Sequence, residues 1–556
     1  MNHRLKTKPS AEPLNNAQWK TRWNNRAAKM PNMTNMYGFS VCIILIVVLL
    51  FPELVTAKTT RPPEIGINRT NLNYGATKNG MTTSTLTNNQ QFTITNSGPG
   101  TLNWGLNDDQ YWLICTPTQG TLSTNQSSTI TVGVEPCGLP AGQYSGTITV
   151  TDQDTPSNSK QIPVNLNYIA PGDDLPPFGT FDTPQGNSTV QSSIPVTGWV
   201  LDDVQTENVK IYNGSNYVGD AVFVDGARPD VEQSYSTYPL NYQAGWGYMM
   251  LTNFLPNGGN GTYEITAIAT DSGGNQTNLG SKTIYGDNAH AVKPFGAIDT
   301  PSQGGSASGS NYVNWGWALT PLPNYLHTSG STINVYVDGV NRGHPKYSIY
   351  REDISKFFPD YANSSGAAGY YKVDTTNYKK GVHTIQWTAT DNAGNSDGIG
   401  SRYFSINNAD GDRPYTAATA IDPGLLPPEF DTLIDIPRQD RSPVTLKKGF
   451  SENLPPMEKY PDNDGFINIQ MKELDRIELG LFNTPGQTGD IFGFLLVNGK
   501  RYPLPIGSTL DSKNNTFYWM PGLAYLGKYH LVFIKIEPNA EMSRQDIIVT
   551  IVPRFQ

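Results

Sequence analysis

The strongest constraint on this sequence is the duplication of a segment as long as a whole domain. Residues 177–281 and 294–401 carry the same short motifs in the same order. The units of solenoid proteins are much shorter, roughly 20–50 residues, so each copy is a domain in itself. The chain therefore contains two tandem copies of one domain. The matched blocks are Pro177–Pro184 with Pro294–Pro301, Gly198–Leu201 with Gly316–Leu319, and Ala269–Asn275 with Ala389–Asn395.

Length and composition bound the rest of the chain. The 556 residues suffice for about four domains of ordinary size. Only 16% of the residues are charged, and 54 Gly and 41 Pro are present, which is typical of β-structure with many turns. Basic residues are concentrated in positions 1–36, so the remainder is more acidic than the net charge of −9 suggests. An acidic body repels phosphate groups, which argues against nucleic-acid binding.

Residues 1–57 are predicted to be a basic leader followed by a signal peptide. The apolar run Val41–Phe51 has eleven residues, whereas a membrane-spanning helix needs about twenty. Val55–Ala57 suits a signal peptidase, so we expect cleavage before Lys58. The alternative is an uncleaved signal anchor, which is the one way in which we expect this chain to contact a membrane. In both cases the remaining chain is exported.

Export also bears on the three cysteines. Cys42 lies in the apolar run and is removed with the signal peptide. Cys115 and Cys137 remain, within one predicted domain and in a compartment where disulfides persist. A disulfide between them is predicted, with a stabilisation of about 3 kcal/mol. Two buried thiols are the alternative.

Residues 64–169 form the first predicted domain. In one segment Ile148 and Val150 alternate with threonines, the period of a half-buried strand. The other notable motifs are Asn96–Gly98, Leu102–Trp104, Trp112–Leu113 and Leu139–Gly146. Together these motifs resemble the BACON family, which consists of immunoglobulin-like (Ig-like) modules of bacterial secreted proteins. The family's name implies carbohydrate binding, although such modules also act as spacers.

The duplicated domains, 177–286 and 294–407, are predicted to be sandwiches as well. In the second copy, alternation places Ile385, Trp387 and Ala389 on one face. One buried face and one solvated face are typical of an antiparallel sandwich. Both copies resemble bacterial Ig-like modules with a PFG-x-x-DTP, GW and ATD-x-x-GN pattern. That resemblance implies no single activity.

Residues 431–556 form the last predicted domain. Phe494–Val497 and Lys500–Tyr502 flank Asn498-Gly499, a strong signal for a two-residue hairpin turn. This region resembles the Ig-like or cadherin-like modules of bacterial surface proteins. The sequence therefore predicts an all-β chain of tandem immunoglobulin-like antiparallel β-sandwich domains, strung separately on short linkers. The expected linkers are Pro171–Pro177 and 408–430.

The sequence offers little that suggests catalysis. It contains no His-Glu-x-x-His, no Walker loop and no Cys-x-x-Cys, and its six histidines are scattered. None of the histidines has the spacing of a metal-binding motif. No segment is left over for a larger catalytic domain either. We therefore expect a protein that is not an enzyme.

Calcium is the candidate metal, and we expect no other cofactor. Asp462 and Asp464 belong to an Asp-Asn-Asp-Gly segment with oxygen ligands at alternate positions, which suits a hard cation. The alternative is a turn without an ion, because Asp, Asn and Gly are common in turns. The matched loops at Asp271 and Asp391 are predicted to be hairpin turns. There Asp caps the backbone and Gly takes the positive φ.

Aromatic side chains are the candidate binding residues, because a sugar ring can stack its apolar face on a Trp or Tyr ring. We select Trp246 and Tyr248, which lie in a polar, glycine-rich segment. Trp315 is the third candidate, since the first copy has no aromatic residue at the equivalent position; the alternative is a core residue. Trp199 and Trp317 occupy equivalent positions in both copies and are predicted to be core residues.

These observations predict a non-enzymatic protein that is secreted or held at the cell surface. Its expected role is extracellular binding or adhesion, with glycan or a surface protein as the partner. Linked weak sites suit that role, because tandem modules gain avidity. A purely structural stalk or spacer is one alternative. An accessory subunit of an extracellular polysaccharide-degrading system is another.

Overall fold

The computed structural model describes most of the chain that follows the predicted leader, namely residues 62–124, 126–408, 439–451, 454–482, 490–537 and 542–556. The leader predicted at 1–57 and nearly all of the linker predicted at 408–430 lie outside these residues. None of the helices within the described ranges has the length and apolar character that crossing a membrane requires.

The first sandwich packs ten strands into two sheets. Its strands are β1 Ile65–Ile67, β2 Leu72–Asn79, β3 Thr82–Leu86, β4 Gln90–Asn96, β5 Thr101–Asp108, β6 Leu113–Thr116, β7 Gln119–Ser123, β8 Ser127–Val134, β9 Gly142–Asp152 and β10 Ser159–Ile169. The sheets have the orders β1-β4-β8-β6 and β3-β2-β10-β9-β5-β7. On β9, Ile148 and Val150 are fully buried in the core between the sheets, as their alternation predicts.

The second sandwich is the first copy of the duplicated domain. Its elements are β11 Phe178–Thr183, β12 Thr189–Val190, β13 Ser193–Leu201, β14 Thr206–Asn213, β15 Asn216–Asp220, β16 Val222–Val224, α1 Pro229–Ser234, β17 Gly245–Leu251, α2 Pro256–Gly259, β18 Asn260–Asp271 and β19 Gln276–Asp287, with 3-10 turns at Asn241–Gln243, Thr252–Phe254 and Asn288–His290. The sheets have the orders β11-β13-β17-β16 and β12-β19-β18-β14-β15.

The third sandwich repeats this arrangement. Its elements are β20 Phe295–Ile298, β21 Gly305–Ala307, β22 Tyr312–Leu319, β23 Ile333–Val337, β24 Val340–Asn341, β25 Lys346–Ile349, α3 Glu352–Phe357, β26 Ala368–Val373, β27 Gly381–Thr390 and β28 Ser396–Ile406, with 3-10 turns at Ser364–Gly366 and Thr375–Asn377. The sheets have the orders β20-β22-β26-β25 and β21-β28-β27-β23-β24.

The fourth sandwich closes the chain. Its strands are β29 Val444–Lys448, β30 Met457–Lys459, β31 Phe466–Lys472, β32 Ile477–Gly480, β33 Asp490–Val497, β34 Lys500–Tyr502, β35 Ser508–Asp511, β36 Thr516–Trp519, β37 Gly527–Ile536 and β38 Met542–Val552. The sheets have the orders β30-β29-β32-β36-β35 and β31-β38-β37-β33-β34. The hairpin predicted at Asn498-Gly499 is confirmed, because both residues adopt positive φ between the paired strands β33 and β34.

All four sandwiches share one topological signature. In each, an early strand runs parallel to the last strand of the same sandwich, namely β2 to β10, β12 to β19, β21 to β28 and β31 to β38. The other named strand pairs are antiparallel. Two facing sheets with this crossover are the arrangement of Ig-like domains. The prediction of tandem immunoglobulin-like β-sandwiches is therefore confirmed.

The two copies fill their cores with one tryptophan each, taken from opposite sheets. In the second sandwich, Trp246 on β17 lies directly over Gly198, where an added Cβ would come within 2.5 Å of the indole. In the third sandwich the residue that pairs at this position is Gly369, and Trp387 from the facing sheet fills the space. The residue of the first copy that corresponds to Trp387 is Ala267. Each core thus contains one large indole, supplied by one sheet in the first copy and by the facing sheet in the second.

The shared DTP motif has an electrostatic role in both copies. Asp182 accepts from Arg228 at 2.6 Å, and this arginine, just before α1, also pairs with Asp230. In the third sandwich, Arg351 before α3 pairs in the same way with Asp299 and Asp353. The motif thus ties the first strand of each sandwich to the helix that crosses its sheet.

Those helices cover the tryptophans of the GW motif. Trp317 is only 2% exposed, but it packs beneath α3 with Phe295 and Phe358, in a cluster separate from the space between the sheets. Trp199 packs in the same way with Phe178 and residues that follow α1. The prediction of a buried core position is therefore confirmed for Trp317, whereas Trp199 is only partly buried. They face outward and are covered by the helical insertions.

The hairpin turns predicted at the ATD-x-x-GN loops are confirmed. The Asp271 carboxylate accepts from the backbone and side-chain amides of Asn275 at 2.8 and 2.9 Å. Asp391 holds Asn395 in the same way. The glycine of each loop has φ near +90°, the left-handed conformation that glycine adopts without strain.

The expectation of separate domains on short linkers is wrong for the described residues. The Thr87 hydroxyl of the first sandwich donates to the Val204 carbonyl of the second at 2.6 Å, and this contact is buried. Asp174, within the predicted first linker, accepts from Thr77 on one side and from Asn275 on the other. The first and second sandwiches are therefore fixed to each other by hydrogen bonds, one of which is fully buried.

The fourth sandwich contacts both copies of the duplicated domain. The buried hydroxyl of Tyr529 donates to the Ala227 carbonyl of the second sandwich at 2.6 Å. The buried hydroxyl of Tyr403, in the third sandwich, donates to Leu523 of the fourth at 2.6 Å. One apolar cluster spans all three domains. The chain therefore folds back on itself, which short-range patterns in the sequence do not indicate.

Candidate binding surface

One of the three predicted binding residues is not available to a ligand. Trp246 is fully buried in the core of the second sandwich, so its selection as a ligand-binding residue is wrong. Tyr248 is half-buried, its hydroxyl donates to the Val218 carbonyl at 3.2 Å, and its ring lies against Gly219. A ligand role for Tyr248 stays a prediction. The polar, glycine-rich segment that contains both residues is not an open loop but includes strand β17 of the sheet.

The glycines of that segment have a different purpose. A Cβ added at Gly247 would lie 2.5 Å from the Cβ of Leu523, so only glycine admits the fourth sandwich at this distance. The neighbouring Thr183 and Thr197 donate to the buried carboxylate of Glu473, also in the fourth sandwich. The outer face of this sheet is thus a docking surface, and its occupant is the chain's own last domain.

The equivalent face of the third sandwich is different in sequence and in exposure. Thr197 and Gly247 pair across β13 and β17, and the corresponding pair across β22 and β26 is Trp315 and Tyr370. Trp315 is 38% exposed and is the one exposed tryptophan among the described residues. The side chains at these two positions are small and covered in the second sandwich, whereas in the third sandwich they are aromatic and Trp315 is exposed.

Three side chains form a row across this open face, which we call the aromatic row: Trp315 on β22, Tyr370 on β26 and Lys346 on β25. The rings of Trp315 and Tyr370 are 5.0 Å apart between centroids and tilted by 54°. Lys346 pairs with Tyr370 in the sheet, and its ammonium lies 5.9 Å from the Tyr370 ring. The row therefore combines apolar ring surface with a cation on one face of a sheet.

The backbone beneath the aromatic row is firmly held. The Trp315 amide donates to the Thr300 hydroxyl at 2.8 Å, and the Trp315 carbonyl accepts from the Asp299 amide at 2.9 Å. The Asp299 carboxylate is in turn paired with Arg351. The segment after β20 on one side and the paired strand β26 on the other thus hold the backbone of Trp315 in place. A site on such a rigid element needs little reorganisation to bind.

The predicted disulfide is not formed. Cys115 is a buried free thiol on β6, where it pairs with Val132, and Cys137 is an exposed free thiol in the turn that follows β8. Cys137 lies five residues beyond Val132, the residue that pairs with Cys115 in the sheet. The two thiols are therefore not positioned to form a disulfide. Burial, with a smaller contribution from Asp108, raises the pKa of the Cys115 thiol to about 12.

One of the two carboxylates of the calcium candidate, that of Asp462, is occupied by its own turn. Asp462 accepts from the backbone amides of Asp464 and Phe466 at 3.0 and 2.9 Å, and from the Asn468 side chain at 2.8 Å. The bond from the Phe466 amide is the main cause that lowers the pKa of Asp462. Among the described residues, no three His, Cys, Asp or Glu side chains are gathered to hold a metal ion. Calcium at Asp462 and Asp464 stays a prediction without structural support.

The histidines near strand starts pair with carboxylates. His383 is bonded through one ring nitrogen to Asp338 at 2.6 Å and through the other to the Lys379 carbonyl at 2.9 Å. His530 is bonded to Asp546 at 2.9 Å. Because both ring nitrogens of His383 are engaged, it has none left for a metal or a substrate.

One match to a catalytic motif escaped the sequence analysis. Residues 394–398 read Gly-Asn-Ser-Asp-Gly, the pattern of a hydrolase nucleophile elbow. That elbow requires a strand, a tight turn and a helix, with a histidine beside the serine. Ser396 instead begins β28 in a hairpin, and its hydroxyl accepts from Thr390 at 3.0 Å. The serine has a structural role in this hairpin.

Comparison with known proteins identifies the first sandwich. Residues 64–161 match the family described as viral BACON domain. This match confirms the BACON resemblance, although the family's description names a viral domain and the sequence analysis expected one from bacterial secreted proteins. It covers less than a fifth of the chain. No curated protein matches the chain.

Solved structures with similar folds are distant. The fibronectin(III)-like modules of Clostridium thermocellum CbhA share 15% identity over 42% of this chain and 95% of theirs, with a TM-score of 0.14. Sidekick-1 immunoglobulin domains 1–4 share 8% identity over 88% of this chain and 99% of theirs, with a TM-score of 0.20. At these scores the likeness carries no argument about function.

Proposed function

We propose that this protein is an exported, non-enzymatic binding protein of the adhesion type, and that it holds extracellular carbohydrate on the aromatic row. The observation that carries the proposal is the contrast between the two copies of one surface. The second sandwich has Thr197 and Gly247 there, covered by the fourth sandwich. The third sandwich has Trp315 and Tyr370 there, and Trp315 is open to solvent.

The chemistry of the row supports carbohydrate as the ligand class. An indole face offers apolar surface to the axial C–H groups of a sugar ring, and the Tyr370 hydroxyl and Lys346 ammonium offer hydrogen bonds to sugar hydroxyls. The row lies on three neighbouring strands of one sheet, with Trp315 open to solvent. A row of this kind suits a section of a long glycan chain better than a free monosaccharide, which needs a concave pocket.

The test is a screen of polysaccharides and oligosaccharides against the purified protein, followed by titration of the best ligand. Trp315→Thr is the informative variant, because Thr is the native residue at the equivalent position of the second sandwich. Tyr217→Ala is the matched control, since Tyr217 is 55% exposed and paired with Tyr212, but lies on another sheet. Binding that Trp315→Thr weakens and Tyr217→Ala preserves supports the proposal. Equal losses in both variants contradict it.

A structural spacer is the second candidate function. Buried contacts such as those of Tyr529 and Tyr403 fix the fourth sandwich to the second and the third, and a protein that carries mechanical load needs such contacts. A screen in which no glycan binds the wild-type protein favours this candidate. A specific glycan that depends on Trp315 excludes a purely structural role.

A further inference from the structure

A pocket of about 190 Å³ lies where the first, second and fourth sandwiches meet, on the part of the second sandwich around α1. The first sandwich contributes Arg69, the second contributes Asp225, Glu232 and Tyr242, and the fourth contributes Tyr502. The volume is somewhat larger than the roughly 150 Å³ of a cavity that accommodates benzene. It is separate from the aromatic row.

Arg69 is already committed within this pocket. Its guanidinium lies flat over the Tyr242 ring, 3.4 Å from the centroid, and it donates to the Gln91 carbonyl at 2.8 Å. It also pairs with Asp225 at 3.3 Å. The positive charge of the pocket is therefore held by the protein itself, and Arg69 is poorly placed to bind an anionic ligand.

The carboxylates of the pocket are not fully compensated. The Asp225 side chain is 39% exposed, and burial is the main cause that raises its pKa, which Arg69 and a hydrogen bond from Gln243 only partly offset. Burial likewise raises the pKa of Glu232, which Arg69, a hydrogen bond from Tyr502 and the nearby Lys500 only partly offset. Arg69, Asp225 and Glu232 are the charged residues among those that line the pocket, so its formal charge is −1.

The remaining wall of the pocket is apolar. The fourth sandwich contributes aliphatic and proline side chains, namely Leu495, Val497, Pro503, Leu504 and Ile506. An apolar wall beside an incompletely neutralised carboxylate suits a ligand with two parts. One part is a cationic group for the carboxylates, and the other is a short hydrocarbon body for the wall.

We propose that this pocket binds a small organic cation, a primary ammonium on a short aliphatic chain. The ammonium donates to the Glu232 and Asp225 carboxylates, and the chain lies against the Leu504 side of the pocket. Because three sandwiches supply the contacts, the ligand also holds them together. Binding should then raise the unfolding midpoint of the whole described unit, since a ligand stabilises the state that binds it.

The test is calorimetric titration of the purified protein with n-butylamine, which has one ammonium and a short hydrocarbon chain, and with 1-butanol as the uncharged analogue. Saturable binding of the amine is expected, with the alcohol at least about tenfold weaker, because its hydroxyl can donate a hydrogen bond to a carboxylate but lacks the positive charge that strengthens this bond. Glu232→Gln should lower the butylamine affinity about tenfold or more. Gln can still accept from Tyr502, so this variant is expected to fold. Glu264→Gln, at an exposed position on β18, is the matched control and should leave binding unchanged.

Three results would overturn the proposal: no saturable binding of butylamine, equal binding of butanol, or a Glu232→Gln variant that folds and binds butylamine as well as the wild type. The unfolding midpoint with and without butylamine gives an independent reading of each variant. Trp315→Thr should bind butylamine normally. A failure of this proposal therefore leaves the proposed carbohydrate function untouched, and the converse also holds.

Discussion

Glu473 offers the sharpest test of how the fourth sandwich is docked. Its side chain is buried where β31 ends, facing the second sandwich. One carboxylate oxygen accepts from the hydroxyls of Thr183 and Thr197 at 2.9 and 3.3 Å, and the other accepts from the Arg554 amide at 3.1 Å. Burial outweighs these bonds and raises the pKa of Glu473 from 4.5 to about 7.

The sign of the effect on stability follows from this pKa. An acid whose pKa is raised on folding favours the folded state in its protonated form. That contribution is fully present below pH 4.5 and is lost as the pH rises through about 7. The difference between the two pKa values corresponds to roughly 3 kcal/mol of unfolding free energy between the ends of this window. Docking of the fourth sandwich should therefore weaken from mildly acidic to mildly alkaline pH.

Glu473→Gln removes this titration. The glutamine oxygen can still accept from Thr183 and Thr197, whereas the Arg554 amide loses its acceptor at a cost of about 1 kcal/mol. The variant should therefore be less stable than the wild type at pH 4.5 by about that amount, and more stable at pH 8 by roughly 2 kcal/mol. Asp202 and Asp203 also titrate in this range, because burial raises their pKa values to about 7 and about 6. Their contribution is the same in the wild type and in Glu473→Gln. The quantity to measure is therefore the difference in unfolding free energy between these two proteins at each pH.

The assay is urea unfolding followed by tryptophan fluorescence, at several pH values between 4.5 and 8. Trp519 is buried in the cluster that joins the fourth sandwich to its neighbours and should report on the loss of this packing. A stability difference between wild type and variant that reverses sign across this range agrees with the reasoning. A difference that stays constant with pH would refute it.

Two further predictions concern the docking surface and the cysteines. Gly247→Ala should lower the unfolding free energy by about 1–3 kcal/mol, because the new methyl group would overlap Leu523. Gly186→Ala is the matched control and should be neutral, since a Cβ added there has no atom within 4 Å. Equal stability of the two variants would contradict the docking surface. In native protein, a thiol reagent should modify Cys137 quickly and Cys115 only after unfolding, as peptide mass spectrometry can determine; a disulfide-linked peptide would contradict the free thiols.

The elements that depend on local patterns could be predicted from the sequence. Alternation of apolar and polar residues is sufficient for strands such as β9, and the Asn498-Gly499 and Asp271 turns depend on a few adjacent residues. The duplication identifies the repeated sandwich because the structure of one copy constrains the other. None of these signals requires knowledge of distant contacts.

The contacts between sandwiches could not be predicted in the same way. Gly247 looks like a loop glycine in the sequence, and only the position of Leu523, far along the chain, shows that it makes room for a docked domain. Trp246 was misassigned for the same reason, because a glycine-rich surrounding is typical of loops but here belongs to a packed strand. One signal for this difference is present in the sequence. A comparison of the two copies at equivalent positions shows Thr197 in the first and Trp315 in the second, which distinguishes the covered sheet face from the open one.

The most direct measurement for the account as a whole is calorimetric titration of the best glycan ligand into the wild-type protein and into Trp315→Thr. Removal of a central aromatic contact should weaken binding by about tenfold or more, with the unfolding midpoint unchanged. Equal glycan affinity in the two proteins would contradict binding at the aromatic row.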